Sequence, residues 1–528
     1  MSAQQEFRKY HAAVWDEPII MEMGRPGRRG VSLPEPEEAV TSLVGDPREL
    51  VAPGMRRKEK ARLPELSEYE VLRHYLHLSQ QTLGMIGINL LGTCTMKYNP
   101  RVSERVTSVP EIERVHPYQD EDTLQGILEI IYRCDEMLQA LSGMDRFSFQ
   151  PGGGAHAAYL HACLTRAYHA ANGELNSRDQ VIVSIKSHPC NAATAAAAGF
   201  EVITLMLDEE GYPSVEALEA AVSERTAALM VSNPDDMGVY NPNIKQFNAV
   251  VHEAGGLSFC DNANFNGVMG MVRPRDVGFD ACMYMLHKTF GAPKTGGGPA
   301  AGAYGCTAEL ARFLPAPVVE RDGERYGLDF DRPDAIGGVR EYWGNVPLVV
   351  KTYAWIRAMG AEGIHEARDL SVLASNYMRQ RLLGMRGIAG SIPENTKRRL
   401  EAAEYSLEQV QQDTGVTVFD VQNRMMDFGV DRVELSHEPW QVPQPITIQV
   451  GETWSKEDID YWLAVLEEII REAYEDPEIV KSAPHNQSIH QLDASQANDP
   501  ALWAMTWRAH VKKRGAARAG EPATVAAS

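Results

Sequence analysis

Short apolar runs at 180–183, 201–206, 227–231, 256–260 and 281–286 alternate with longer segments whose apolar positions recur at helical spacing. Runs that are apolar throughout, rather than at every second residue, predict strands buried on both faces. Between them, 157–171 reads as a long helix, 215–223 as a helix capped by Ser214, and 244–254 as a helix that stops at Gly255-Gly256. Strand, helix, strand in this rhythm predicts an α/β fold with a mainly parallel sheet covered on both faces. Ligands of such sheets gather at the carboxyl ends of the strands.

The flanks read differently. Residues 1–90 are rich in Pro, Arg and Glu, with a helical piece at 68–79, and predict an arm rather than a core of its own. The large α/β domain is expected over 91–350 and a smaller carboxyl-terminal α/β domain over 351–480. The smaller domain is marked by an alternating strand at 446–450 and an amphipathic helix at 459–474, introduced by Ser455-Lys-Glu-Asp458 as a variant capping box. Residues 387–415 are polar and irregular in pattern. Residues 481–528 read as an extension, disordered from Arg514 onward.

Composition narrows the function classes. A chain of 528 residues can bury a large core, and its formal charge of −21, from 51 basic and 72 acidic residues, argues against binding a nucleic-acid backbone. The 7 cysteines are widely spaced without a C-x-x-C pair, which suggests neither a zinc site nor a disulfide framework. No apolar run is long enough to span a bilayer and the first residues lack the apolar core of a signal peptide, so a cytoplasmic protein is expected.

The run at 281–286 leads into His287-Lys288-Thr289-Phe290 and then a glycine-rich loop that ends at Pro299. A lysine at the end of a buried strand sits where desolvation lowers its pKa and lets it condense with an aldehyde. The run at 256–260 ends at Asp261. Pyridoxal phosphate needs this pair: a Schiff-base lysine, and an acid that keeps the pyridine nitrogen protonated. Upstream, Pro151-Gly-Gly-Gly154-Ala155-His156 leads into the 157–171 helix. A glycine turn at a helix start binds phosphate well, and His156 could lie flat on an aromatic cofactor. Taken singly, these are a solvated lysine, a turn cap, a glycine turn and an ordinary helix-start residue. Their order, each at a strand end, favours the cofactor. A P-loop at 291–295 fails, because Pro293 stands before Lys294 where that motif needs glycine.

Longer motifs join these residues: Arg25-Pro-Gly-Arg28, Leu91-Gly-Thr-Cys-Thr-Met-Lys-Tyr-Asn-Pro100, His116-Pro-Tyr118, Ser232-Asn233-Pro234, Asp261 with Ala263-Asn264, and Phe313-Leu-Pro-Ala-Pro-Val-Val319. With them the chain resembles the P-protein of the glycine cleavage system, the decarboxylating glycine dehydrogenase, and within it the second subunit of the form split in two. The resemblance implies a fold-type I, aminotransferase-like oxidoreductase that uses pyridoxal 5'-phosphate. It implies release of CO2 from glycine and transfer of the aminomethyl group to the lipoyl group of a carrier, the H-protein. The implied catalytic set is Lys288, Asp261 and His287. Lys288 carries the cofactor, Asp261 pairs with its ring nitrogen and His156 stacks on the ring. Gly153 and Gly154 contact the phosphate, Ala263 lies beside the cofactor, and Asn233 and His287 line the pocket. The implied partner is subunit 1, in a heterotetramer of two of each.

The chain departs from that family pattern in places. Lys294-Thr295 replaces an imidazole with an ammonium, Lys186-Ser-His-Pro-Cys-Asn-Ala192 replaces a Ser-Ala-His-Gly-Thr-Asn-Pro run, and Lys397-Arg-Arg-Leu-Glu401 stands where a Cys-Met-His-Glu-Phe segment is usual. These changes keep open a decarboxylase or aminotransferase-like enzyme for another amino acid, and a noncatalytic assembly subunit. Retention of Lys288 and Asp261 argues against the last.

Overall fold

A computed structural model describes residues 6–59, 61, 63–82, 100–292, 300–391, 398–430, 434–491, 499–500 and 503–518. Most of the Leu91–Pro100 motif, the loop 293–299 with Lys294 and Thr295, and Lys397 lie outside the described residues. The chain divides into two compact units, one of 88–422 with 432–481, the other of 1–87, 423–431 and 482–528.

The larger unit is built on a seven-stranded sheet in the order β1-β7-β6-β5-β4-β2-β3. Its strands are β1 (Arg146–Ser148), β2 (Gln180–Ser184), β3 (Glu201–Leu205), β4 (Thr226–Ser232), β5 (Leu257–Asp261), β6 (Ala281–Met285) and β7 (Gly302–Cys306). Strands β2 to β6 are mutually parallel, as the apolar runs predict. Strand β7 pairs antiparallel with both β6 and β1. Alternate residues feed two core layers. Ile182, Leu229, Cys260 and Cys282 join one; Val181, Ala228, Phe259 and Ala281 join the other. Both faces are thus covered, which is why these strands read as continuous apolar runs. The helices Gly154–Ala171 and Ile244–Glu253 stand where the periodicity placed them, and Ser214 Oγ accepts the Ala217 N–H at 3.1 Å to cap Val215–Ala221.

A hairpin of β8 (Val318–Asp322) and β9 (Arg325–Asp329) follows, then a three-stranded antiparallel sheet of β10 (Ala389–Gly390), β11 (Ala402–Ser406) and β12 (Pro445–Gln449). Strand β11 lies in the stretch that reads as irregular. Its Glu404 points to a buried partner rather than to water, so the polar-out alternation that marks a strand is missing. After β12, Ser455 Oγ accepts the Asp458 N–H at 3.1 Å and starts the helix Lys456–Glu475.

In the smaller unit, Ser67 and Glu70 form a full capping box on the helix Glu68–Gln80. Asp427 gathers the unit's separate segments, because its carboxylate accepts the backbone N–H of His485 at 2.8 Å and of Asn486 at 2.7 Å. The Asn486 carbonyl in turn accepts from Ala12 N at 2.7 Å. A helix Trp507–Arg518 runs through Arg514, where sequence alone predicts a disordered tail; its Ala, Arg and Lys content suits a helix. Among the described residues, no helix is long and apolar enough to cross a membrane.

Candidate active site

The carboxyl ends of β2, β4, β5 and β6 lie side by side, and the polar residues that follow them converge there. Asp261 closes β5 and is fully buried. Its Oδ1 accepts the Ala263 N–H at 3.0 Å and its Oδ2 accepts from Asn191 Nδ2 at 3.1 Å. Both donors are neutral. The carboxylate is therefore aimed but not neutralised, and keeps lone pairs for a cationic N–H. Asn233 stands just beyond β4 and ties the two strand ends together: its N–H donates to the Asp261 carbonyl at 3.4 Å and its Oδ1 accepts from Asn241 N at 3.0 Å.

Lys288 follows β6 in a tight turn, where its N–H donates to the Met285 carbonyl at 3.1 Å and its own carbonyl accepts from Gly291 N at 3.2 Å. Its side chain is buried. Beside it, His287 Nδ1 lies 3.2 Å from the Ala301 carbonyl. A carbonyl can only accept, so the proton sits on Nδ1 and the Nε2 lone pair is bare. Burial and then the nearby Lys288 charge push this imidazole down to about 4, so it is neutral at physiological pH.

The glycine turn before the Gly154–Ala171 helix is held against β7. Gly302 N donates to the Pro151 carbonyl at 2.9 Å, and a Cβ on Gly302 would stand 2.8 Å from the Gly153 carbonyl oxygen. Only glycine allows that approach. The first N–H groups of the helix, from Gly154 on, have no intrahelical acceptor. The Arg340 guanidinium lies next to Gly152, 3.1 Å from where a Cβ would be. A helix start, a glycine cradle and an arginine together suit a phosphate dianion.

Two histidines compete for the ring-stacking position. His156 Nδ1 accepts the Gly152 N–H at 3.0 Å, and its other polar neighbours are the Val339 backbone and Arg340. His188 ends the loop after β2 and caps the helix Pro189–Ala197, its Nδ1 accepting from Cys190 N at 3.0 Å. Its own N–H donates to Ser232 Oγ at 3.3 Å. Burial lowers the His188 pKa, the carboxylates of Asp261 and Asp236 oppose that, and the charges of His437 and Lys288 add to it. The residues that surround Asp261 and Lys288 thus include His188. In the sequence His188 stands only within the departing run Lys186–Ala192; its signal is Asn191 three residues on, which brings both side chains to the first turn of one helix.

A second wall comes from the three-stranded sheet. The loop Asp235–Gly238 lies on β11, where Leu400 N donates to the Gly238 carbonyl at 3.1 Å. Gly238 has φ +71° and a Cβ there would fall 1.9 Å from the Ala402 carbonyl oxygen, so the contact requires glycine. Lys186 Nζ reaches Glu404 Oε2 at 2.9 Å, with side chains only 7% and 1% exposed. Burial raises Asp235 and Glu401 to about 7 each.

Comparison with known proteins fits this site. Over 511 residues, 96% of this chain and 99% of the relative, the chain is 42% identical to the probable glycine dehydrogenase (decarboxylating) subunit 2 of Pyrococcus furiosus. It belongs to that family. The similarity extends to bacteria, at 40% identity over 484 residues to the protein of the same name from Halalkalibacterium halodurans, covering 91% of this chain and 96% of that one. Residues 160–297 match the family Aminotransferase class-V. Among solved structures, the fold matches a glycine decarboxylase (P-protein) of the glycine cleavage system in inhibitor-bound form, with TM-score 0.67 and 21% identity over 83% of this chain and 99% of that one. It also matches an apo cysteine desulfurase from Thermococcus onnurineus, with TM-score 0.56 and 15% identity over 73% of this chain and 95% of that one. In this member of the glycine dehydrogenase family, the donor set of Asp261, Lys288 and the Gly153 cradle fits pyridoxal phosphate: acceptor, amine and anion site each at a separate strand or helix end.

Proposed function

We propose that the chain is the pyridoxal-phosphate subunit that releases CO2 from glycine and passes the aminomethyl group to the lipoyl group of the H-protein. It would do so together with subunit 1, in a heterotetramer of two of each. The observation that carries this reading is the pair of adjacent parallel strands, β5 and β6, that deliver a buried amine and a buried carboxylate, its donors among the described residues all neutral, to one end of the sheet. When bound, the cofactor supplies a sink for the electron pair left behind as CO2 departs.

The chain's own residues do the rest. Asp261 holds a proton at the ring nitrogen, with Asn191 and Ala263 keeping its carboxylate in line. The Gly153 and Gly154 backbone and Arg340 bind the phosphate. His188 lies against the ring, an assignment we prefer to His156 because its charged neighbours are Asp261 and Lys288. Lys288 holds the cofactor covalently through Nζ. His287, neutral with Nε2 bare, accepts a proton in the pocket that it lines with Asn233. Burial of Asp261 and Lys288 keeps water from both groups, so the Asp261 charge is screened less than at the surface.

A second reading, another amino acid on the same cofactor, is favoured by the acidic Asp235–Asp236 loop at the site's edge. Exchange of labelled bicarbonate into amino acids, in the presence of subunit 1 and lipoylated carrier, separates the two. Glycine is expected to exchange, and borohydride to fix a pyridoxyl group on Lys288. Exchange into a different amino acid, with glycine inert, overturns the substrate. An unmodified Lys288 supports an assembly subunit instead.

A further inference from the structure

We infer that the outer face of the Glu68–Gln80 helix, with the arm that leads up to it, is the surface on which subunit 1 docks. This rests on the reading that the chain works together with subunit 1.

The helix is inside out. Its polar stripe of Glu70, His74 and His77 turns toward the arm, where His74 is 3% exposed and its Nδ1 lies 2.7 Å from Glu17 Oε2. His77 Nδ1 meets the other oxygen of the same carboxylate. Trp15 stacks on the His77 ring, with centroids 4.0 Å apart and planes at 6°, and its Nε1 donates to Gln80 Oε1 at 3.0 Å. Arg28 pairs with Glu70. The opposite stripe is apolar and open: Tyr69, Leu72 and Leu76, at positions i, i+3 and i+7, are 67%, 57% and 52% exposed, with Tyr75 beside them at 53%. A surface helix ordinarily hides such a stripe and leaves its polar face to water. Here the contacts with Glu17, Trp15 and Arg28 fix which way the helix faces, so the apolar stripe is presented outward at the spacing with which a helix enters a groove on another chain.

The arm that carries the helix has almost no core. Among the described residues of 1–87, Ala12, Leu66 and His74 are the buried ones, whereas Val31, Leu33, Leu43, Leu50, Met55 and Leu63 are 71–88% exposed. Apolar exposure on this scale marks a contact with another protein. A second copy that matched stripe to stripe would bring four side chains from each side, roughly 100 Å² apiece, and cover about 800 Å² in total, less than the ~1,200 Å² of a stable interface. The stripe and the six arm residues together offer on the order of 1,000 Å² from this side alone, which is half of a permanent interface. Residues 1–87 hold 12 basic and 13 acidic residues, so nearly all of the formal charge of −21 lies elsewhere. What this surface asks of its partner is therefore apolar area rather than opposite charge, and the partner that the reading supplies is subunit 1.

The full-length chain is mixed with subunit 1 and the complex is followed by analytical ultracentrifugation, with far-ultraviolet circular dichroism as a check on folding. The double variant Leu72→Glu with Leu76→Glu is expected to weaken association about 100-fold or more. Leu370→Glu with Leu373→Glu, at two exposed leucines of the larger unit, is expected to associate like the wild type. If the stripe variant does not fold, p-benzoylphenylalanine in place of Leu72 serves instead and is expected to cross-link to subunit 1 on illumination. A stripe variant that associates as tightly as the wild type, a control that is weakened as much as the stripe variant, or a cross-link to a second copy of the chain overturns the docking surface. A wild-type chain that forms no complex with subunit 1 overturns this proposal and the reading beneath it; a complex that forms regardless of the stripe overturns this proposal alone.

Discussion

Asp261 and Glu404 are both buried carboxylates at the same site, yet they are held in opposite ways. Asp261, on the strand-end wall, receives one backbone N–H and one amide, and among the described residues no cation stands within hydrogen-bond reach. Glu404, on the wall from the three-stranded sheet, is matched by the Lys186 ammonium at 2.9 Å. The first arrangement leaves charge to spend on a ligand; the second consumes its charge internally. Where a carboxylate is left short of positive charge, a bound group is the expected source.

The largest effect should come from the ligand-facing wall. Lys288→Ala is expected to abolish turnover, and Asp261→Ala to lower it on the order of 100-fold or more, with far-ultraviolet circular dichroism unchanged in both. Rates near the wild-type value in either variant would mean that this wall serves only the fold. The matched wall should answer in stability instead. Glu404→Ala leaves an ammonium buried without its partner, at a cost of about 3 kcal/mol in urea unfolding, while the double change Lys186→Met with Glu404→Leu should recover most of it. If the double variant is as unstable as the single one, the pair is not what makes this wall costly to break.

The smallest effect is a slope. Asp235 and Glu401 rise from 3.8 and 4.5 to about 7 on burial, so the folded state holds their protons longer than the unfolded chain does. Their contribution to stability is complete below pH about 4 and is lost as pH rises through about 7. Melting temperature should therefore fall between these limits, and Glu401→Gln should flatten the fall. A profile that is just as steep in the variant would assign the slope to other groups.

Much of this was legible in the chain. Strands β2, β4, β5 and β6 announced themselves because burial on both faces leaves little room for polar residues until the strand ends, and Asp261 stood out at the end of one of them; β3, at the sheet edge, is only partly buried, with Glu201 and Thr204 exposed, contrary to the burial on both faces that its apolar run predicts. Lys288 was marked by the run before it and the glycines after it. Strand β7 has no counterpart among the predicted strands, since Gly302 and Gly305 interrupt its apolar pattern, and Gly302 is glycine for the sake of its approach to Gly153. Strand β11 was hidden by the burial of Glu404 and Ser406, which inverts the expected alternation. His188, Asp236 and His437 could not be assembled from pattern at all. They lie on three separate segments and have no period in common, so only the folded chain brings them together.

The way Asp427 collects the smaller unit bears on how the protein is made. The Glu68–Gln80 helix leaves the ribosome well before Asn486, and its capping box satisfies two of its end N–H groups locally. The hydrogen bond from Ala12 N must wait for Asn486, which at roughly 5–20 residues per second arrives on the order of tens of seconds later. A segment synthesised well before Asn486 is thus among the last to reach its final partners, and a product released before residue 482 would leave Ala12 without this one.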